Sequence, residues 1–351
     1  MSKPKPQVAI VGLGMIGASM GLALRQSGVA SAVIGHDKDP GIANQARKLE
    51  MVDKAEWNLV SACENADLIV LATPIGAIEP TLKAIAPYLR PGCVVIDTAT
   101  LKAPVLAWAE AILPKEVHFI GTDPILVRQP SAAVRPGQAA GTEVQATGLK
   151  AARADLFKDA LFCLVPSPQA DPSAVKLAAD LAALLGAQPF FLDAIEHDSL
   201  LAAVEHLPAI ASLALLEMAM GQPSWKELRK MAGPTFELAT HLASTDPSTH
   251  SDLAAANRDN VVRWIDALTA SLASLRQAVA EGNQEALAKR FAEATAERDR
   301  WLNDRATGQL LETPRGGQMP GKGEVFDAFL GSGLRKALSG ERGAPKRDKG
   351  N

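Results

Sequence analysis

The chain has 351 residues, room for two or three domains at ordinary domain sizes. Hydrophobic residues make up 47% and charged residues 21%, which excludes wholesale disorder and supplies a core. With 36 basic against 39 acidic residues and only 4% aromatic, neither a basic patch for nucleic acid or anionic membrane nor a base-stacking platform is expected. The opening MSKPKPQ meets an apolar run too short for a signal-peptide core, and Leu207–Met220, with Glu217 inside it, falls short of a membrane span. Cys63, Cys93 and Cys163 are odd in number, lie in or beside apolar stretches and lack metal-ligand spacing. They read as free buried thiols of a cytoplasmic protein with no metal site.

In chain order, strands are expected at Val8–Val11, Ala32–Ile34, Leu68–Ala72, Val94–Asp97, Val117–Gly121, Leu161–Val165 and Pro189–Leu192. Helices are expected at Ile16–Gln26, Ile42–Leu49, Ile75–Leu89, Ala103–Ile112 and Ser173–Leu185. Strands separated by helices of this length imply right-handed crossovers, hence an α/β Rossmann-type, doubly wound and largely parallel sheet. From about Glu196 only helical periodicity remains, through Leu200–Met220, Leu228–Leu242, Leu253–Val279 and Glu285–Leu302. The expected division is a dinucleotide-binding domain over 1–195, an all-helical dimerisation and substrate domain over 196–305, and a Gly/Pro/charge-rich, mostly disordered tail over 306–351. Within that tail only Val325–Leu338 looks able to form a helix. The Ala/Leu-rich helices show more apolar face than one thin layer can bury, which points to a two-fold homodimer.

The sharpest local signal is Gly12-Leu13-Gly14-Met15-Ile16-Gly17, between an apolar strand and a helix. Gly12 suits the tight turn, Gly14 the close approach of a pyrophosphate, and Gly17 the packing of helix on strand. The helix N-terminus adds unpaired N–H groups and a favourable dipole. Asp37, twenty residues past Gly17 at the end of the second strand, can hydrogen-bond both ribose hydroxyls and repel a 2′-phosphate. NAD is therefore expected over NADP, although His36 and Lys38 flank Asp37. The bland alternative is a turn that needs three glycines for packing alone. Thr73 and Pro74, leaving the strand over 68–72, are placed to touch a dinucleotide, because ligands sit outside strand C-termini.

Together with VGLGMIGASMGLAL at 11–24, the blocks ADLIVLATPI at 66–75, LRPGCVVIDTATLK at 89–102, FIGTDPIL at 119–126 and EHD at 196–198 form an ordered series. It continues with EHLP at 205–208, FELATHLASTDP at 236–247, ANRDNVVRWID at 256–266 and AERDRW at 296–301. In order and spacing the series resembles the prephenate/arogenate dehydrogenase family of tyrosine biosynthesis, over about residues 7–305. The resemblance implies a nucleotide-binding domain followed by a helical dimerisation domain. It also implies a reaction in which hydride leaves the hydroxyl-bearing ring carbon of a cyclohexadienol for NAD(P) while the ring carboxylate departs as carbon dioxide. It leaves no room for an N-terminal mutase module, and the stretch after Asp304 is too short for a regulatory domain.

The departures from the family pattern fall on chemistry. The family's catalytic His, which polarises the substrate hydroxyl, is Asp123 here. Thr100 stands for a Ser, while Asp97 and Lys102 are kept. In the Ser-His-Leu-Pro-His block the Ser is Glu205 and the second His is Ala209, leaving His206. His241 stands for an Arg that would grip a substrate carboxylate. Candidate catalytic residues are thus Asp123, His206, Thr100, Lys102 and His241. Each has a plainer reading: Asp123 a turn residue before Pro124, His206 a packed core histidine, His241 a capping residue, Lys102 a helix start. Two other functions share this architecture, a catalytically silent dinucleotide-binding regulator and a hydroxyacid or imine reductase. Against the latter, no Gly-x-x-Lys-x-x-Asn helix follows the nucleotide domain.

Overall fold

Continuous runs of Val, Ile, Leu and Ala, without polar alternation, are the pattern of strands covered on both faces. The computed structural model, which describes residues 5–126, 148–244 and 247–307, places those runs in one eight-stranded sheet. The strands are β1 (Gln7–Val11), β2 (Ala32–His36), β3 (Lys54–Ala55), β4 (Leu68–Leu71), β5 (Val94–Asp97), β6 (His118–Ile125), β7 (Leu161–Pro166) and β8 (Gln188–Phe191). Their order is β3-β2-β1-β4-β5-β6-β7-β8, parallel throughout except for the β6–β7 pair. Helices α1 (Met15–Ser27), α2 (Pro40–Lys48), α3 (Leu59–Cys63), α4 (Ile75–Ile85), α5 (Ala103–Ile112) and α6 (Pro172–Leu184) cover the sheet. One core, including Val8, Ile10 and Leu164, lies on one face; a second, including Ala9, Ile69 and Val95, lies on the other. All three cysteines are free and buried.

Three departures from the expected elements have physical causes. The two-residue β3 and five-residue α3 are too short to show a period. Strand β6 runs to Ile125, so Asp123 and Pro124 lie within a strand and the turn reading of Asp123 fails. Proline is tolerated there because β5 pairs with β6 only as far as Ile120, leaving β7 as the one neighbouring strand beyond it. The periodic stretch Leu228–Leu242 divides into α9 (Trp225–Met231) and α10 (Pro234–Thr240), because Gly233-Pro234 cannot continue a helix.

The helical block opens with α7 (Ala194–Leu201), whose first N–H groups, Ile195 and Glu196, donate to the Asp193 carboxylate. A single π-turn, Ala202–His206, joins α7 without a break to α8 (Leu207–Met220). By length and composition this 27-residue helix could cross a membrane, longer than the sequence pattern suggested. It nevertheless buries His197, Asp198, His206 and Ser212 against the rest of the chain. α11 (Pro247–Ala256), α12 (Arg258–Ala280) and α13 (Gln284–Thr307) complete the block. Val204, Met218, Leu238, Leu272 and Phe291 are exposed on it. The stretch 325–338 lies outside the described residues.

Candidate active site

The strand order reverses between β1 and β4, and ligands of doubly wound sheets sit in the crevice beyond such a switch point. The glycine turn follows β1 and Thr73 follows β4, so both border that crevice. Gly12 adopts φ +93°, and a Cβ there would overlap the Ala72 carbonyl; a Cβ on Gly17 would overlap the carbonyl of Gly12. At Gly14 nothing lies within 4 Å of the missing Cβ, so a ligand can approach the backbone. The buried Thr73 hydroxyl has no hydrogen-bond partner. Leu13 is fully buried and offers only its N–H, while Met15 and Ile16 are half-buried at the start of α1. Pro74 is exposed at the N-terminus of α4. A dinucleotide fits this arrangement: open glycine backbone, a helix N-terminus without acidic residues, and an unpaired hydroxyl.

Asp37 closes the turn. Its Oδ2 accepts the Leu13 N–H at 2.9 Å and its Oδ1 the Asp39 N–H at 3.0 Å. Its carboxylate therefore stands rigidly beside the first glycine, where a ribose would lie. Asp37→Ala is expected to shift the ratio of NAD to NADP affinity by about tenfold toward NADP, the scale of one charged hydrogen bond. Equal losses in titrations with both cofactors would remove Asp37 from this role.

A second group of polar residues is enclosed where the C-terminal ends of β5 and β6 meet the helical block. Beyond the end of β5, side chains continue the ladder with β6. Asp97 Oδ1 accepts the Thr122 N–H at 3.1 Å, and Lys102 Nζ donates to the Thr122 carbonyl at 2.7 Å. Lys102 also pairs with Asp97 Oδ2, and both side chains are wholly buried. Lys102 was a candidate to orient substrate. Its ammonium is instead enclosed among protein atoms and ties two strands together.

Asp123, 3% exposed, lies beside His197 of α7. Its Oδ2 lies 3.3 Å from His197 Nε2, but the angle leaves neither atom with a directed hydrogen bond. His197 Nδ1 lies 3.0 Å from Asp198 Oδ1. Asp198 also accepts the N–H groups of Lys102 at 2.7 Å and Ala103 at 2.9 Å, capping α5 from the helical block. Asn257 donates to the Asp198 carbonyl at 2.7 Å, and its Nδ2 lies 3.4 Å from His206 Nδ1. The same amide nitrogen thus fixes His206 Nδ1 as an acceptor, and the proton sits on Nε2, which is buried without a partner. Thr100 is half-buried in the loop between β5 and α5. His241 is exposed on the short 3₁₀ turn His241–Ser244 and takes no part in the hydrogen bonds of the group.

Burial lowers the basicity of His197, but the adjoining Asp123 carboxylate, with hydrogen bonding to Asp198 and Cys163, outweighs it, and the imidazole is pushed up to about 10. It is an imidazolium at neutral pH. Burial raises the carboxyl of Asp123; His197 and Lys102 oppose that rise without cancelling it. Glu205, on the π-turn, remains open to solvent, yet crowding by the chain and the charge of Asp123 raise its carboxyl too. Burial holds His206 below the ordinary value, so it is neutral. Because His197 titrates higher in the folded chain than its ordinary 6.5, its stabilisation is complete below that pH and disappears as pH rises through about 10. The unfolding midpoint in urea is expected to fall across that window, and to fall less in His197→Gln. Parallel profiles would contradict the assignment.

Of the five candidate catalytic residues, the structure brings Asp123, Lys102 and His206 together, with Thr100 at the edge and His241 outside. His197, Asp198 and Asn257 are not among the candidates drawn from the sequence, although EHD at 196–198 is one of its family blocks. The signal was there: a His-Asp pair directly N-terminal to the retained His206 block.

The prephenate dehydrogenase nucleotide-binding domain matches residues 20–190, and the prephenate dehydrogenase dimerisation domain matches 193–293. Cyclohexadienyl dehydrogenase of Zymomonas mobilis is 27% identical over 289 residues, 82% of this chain and 93% of that protein. The probable prephenate dehydrogenase NovF of Streptomyces niveus is 30% identical over 279 residues, 78% of this chain and 70% of that one. Prephenate dehydrogenase of A. aeolicus, crystallised with hydroxyphenyl propionate and NAD+, shares the fold at a TM-score of 0.74 and 24% identity, over 86% of this chain and 99% of that one. The chain belongs to the prephenate dehydrogenase family, as an NAD-dependent oxidoreductase whose nucleotide-binding domain is followed by a dimerisation domain.

Proposed function

We propose that the chain oxidises a cyclohexadienyl carboxylate with loss of carbon dioxide, using Asp123 as the proton-accepting group at the hydride-donating carbon. The observation that carries this reading is the buried Asp123 oxygen, without a directed hydrogen bond, near the C-terminal end of β6 in the sheet that also carries the glycine turn. NAD, when bound, accepts the hydride. The backbone of Gly12 to Gly17 holds its pyrophosphate, Asp37 its ribose hydroxyls, and the Thr73 hydroxyl and Pro74 line its path. Asp123 takes a proton from the substituent on the reacting carbon, and His197, itself anchored by Asp198, orients it. The free Nε2–H of neutral His206 donates to a substrate carboxylate, and Thr100 offers a hydroxyl at the rim. A carboxylate at 123, a second at Glu205 and no Arg at 241 disfavour dianionic prephenate relative to zwitterionic arogenate. The test is NADH formation with each substrate. Arogenate turnover well above that of prephenate supports the reading; brisk prephenate oxidation overturns the role of Asp123.

The same proposal places the interface on residues 196–305, with the nucleotide domain over 1–195 and a two-fold homodimer as the working unit. The exposed apolar residues of α8, α10, α12 and α13 supply the surface. The free, buried thiols suit the reducing cytoplasm. Light scattering at micromolar concentration is expected to give twice the chain mass, and a monomer would contradict it.

A further inference from the structure

We propose that the substituent on the hydride-donating carbon is an amine rather than a hydroxyl, which makes the substrate a 4-aminocyclohexadienyl carboxylate and the product an arylamine. This rests on the placement of Asp123 at that substituent proposed above.

Charge and hydrogen-bond inventory carry the argument. Four carboxylates, Asp97, Asp123, Asp198 and Glu205, meet two cations, Lys102 and His197. Lys102 is paired with Asp97 and enclosed, and His197 is shared between Asp123 and Asp198. Beside the unpaired Nε2–H groups of His197 and His206, the site adds two acceptors at the departed positions: the Asp123 oxygen lacking a directed donor and the solvent-reached Glu205. A hydroxyl can be served by one imidazole. An ammonium has three N–H donors and no acceptor, and it requires a surface of this kind. Both charged departures at the site, Asp123 and Glu205, change it in that direction.

Proton balance agrees. When a cyclohexadienol aromatises, the C–H electron pair leaves as hydride to NAD, the C–C pair of the departing carbon dioxide enters the ring, and the phenol keeps its O–H. Any proton a base accepts from the hydroxyl during hydride loss returns to the phenol, so none is released overall. The same electron flow in a cyclohexadienyl ammonium produces an anilinium, a far stronger acid because the arylamine left after proton loss delocalises its nitrogen lone pair into the ring. One proton must then leave, and a carboxylate is base enough to take it. Burial raises the carboxyl of Asp123, which improves it as that acceptor.

The test supplies the intact enzyme and NAD with prephenate, with arogenate, and with the analogue of prephenate carrying an amino group in place of the ring hydroxyl. The amine is expected to show kcat/KM at least about a hundredfold above either alcohol, a discrimination within reach of buried polar groups. Arylamine and carbon dioxide should appear in step with NADH. Asp123→His is expected to reverse the preference. In the presence of NAD, 4-aminophenylpyruvate should raise the unfolding temperature more than 4-hydroxyphenylpyruvate, and Asp123→His should remove that difference. Faster turnover of either alcohol overturns the amine assignment but leaves the cyclohexadienyl reading standing. Oxidation of none of the three, with NAD binding intact, overturns both.

Discussion

Asp123→Asn is expected to lower kcat by about a thousandfold or more while leaving the Kd for NAD unchanged, the scale of losing a positioned proton acceptor. Asparagine has nearly the same shape, so β6 keeps its pairing with β7, in which Asp123 stands opposite Cys163. What disappears is the negative charge and the ability to take a proton. Stability should change little, because an incompletely bonded buried carboxylate is replaced by a neutral group. His197 loses one of the two carboxylates that raise it, so its titration should move down toward the ordinary range. Steady-state kinetics, NAD titration and a pH series on the imidazole check the three statements separately. Retention of a tenth of the activity would place the proton acceptor elsewhere.

Lys102→Met produces the largest expected loss of stability, about 3–5 kcal/mol, because it leaves the Asp97 carboxylate buried without its counter-charge. Asp97 and Lys102 are both fully buried, and they stand in for the strand that β6 lacks beyond Ile120. The double change Lys102→Met with Asp97→Asn is expected to recover most of the loss, since no uncompensated charge then remains. The Arg25–Asp53 pair is the contrast: half-exposed, it should contribute about 0–1 kcal/mol. Urea unfolding of the single and double variants measures these differences. A single variant as stable as the parent would contradict the stabilising role of the Lys102–Asp97 pair.

The nucleotide half was legible because its signals are local. A buried strand, three glycines at fixed spacing and an acid at the end of the next strand lie within thirty residues, and each has a steric or electrostatic reason visible in the residue types. The resemblance to a family supplied the order of the remaining blocks and placed Asp123, His206 and Lys102 in one list. The roles within that list were less legible. Burial, not residue type, makes Lys102 a strand tie, and only the packing of α7 against β6 brings His197 to Asp123. His241, with both a substrate-contact and a plainer capping reading in the sequence, lies exposed on the short 3₁₀ turn. The breaks between α9 and α10, and between α11 and α12, were hidden because the apolar period continues across them.

Asp198 belongs to the helical block, yet its carboxylate caps the first helix after β5, while its main-chain carbonyl is held by Asn257. A cap made across two domains is a tie between them. Leu253 of α11 adds a second tie, in the same core as Ile75 and Ile78 of α4. The helical block is therefore held at the starts of both α4 and α5, the two helices that follow β4 and β5, so the strands that border the cofactor crevice and those that carry the proton-handling groups share one clamp.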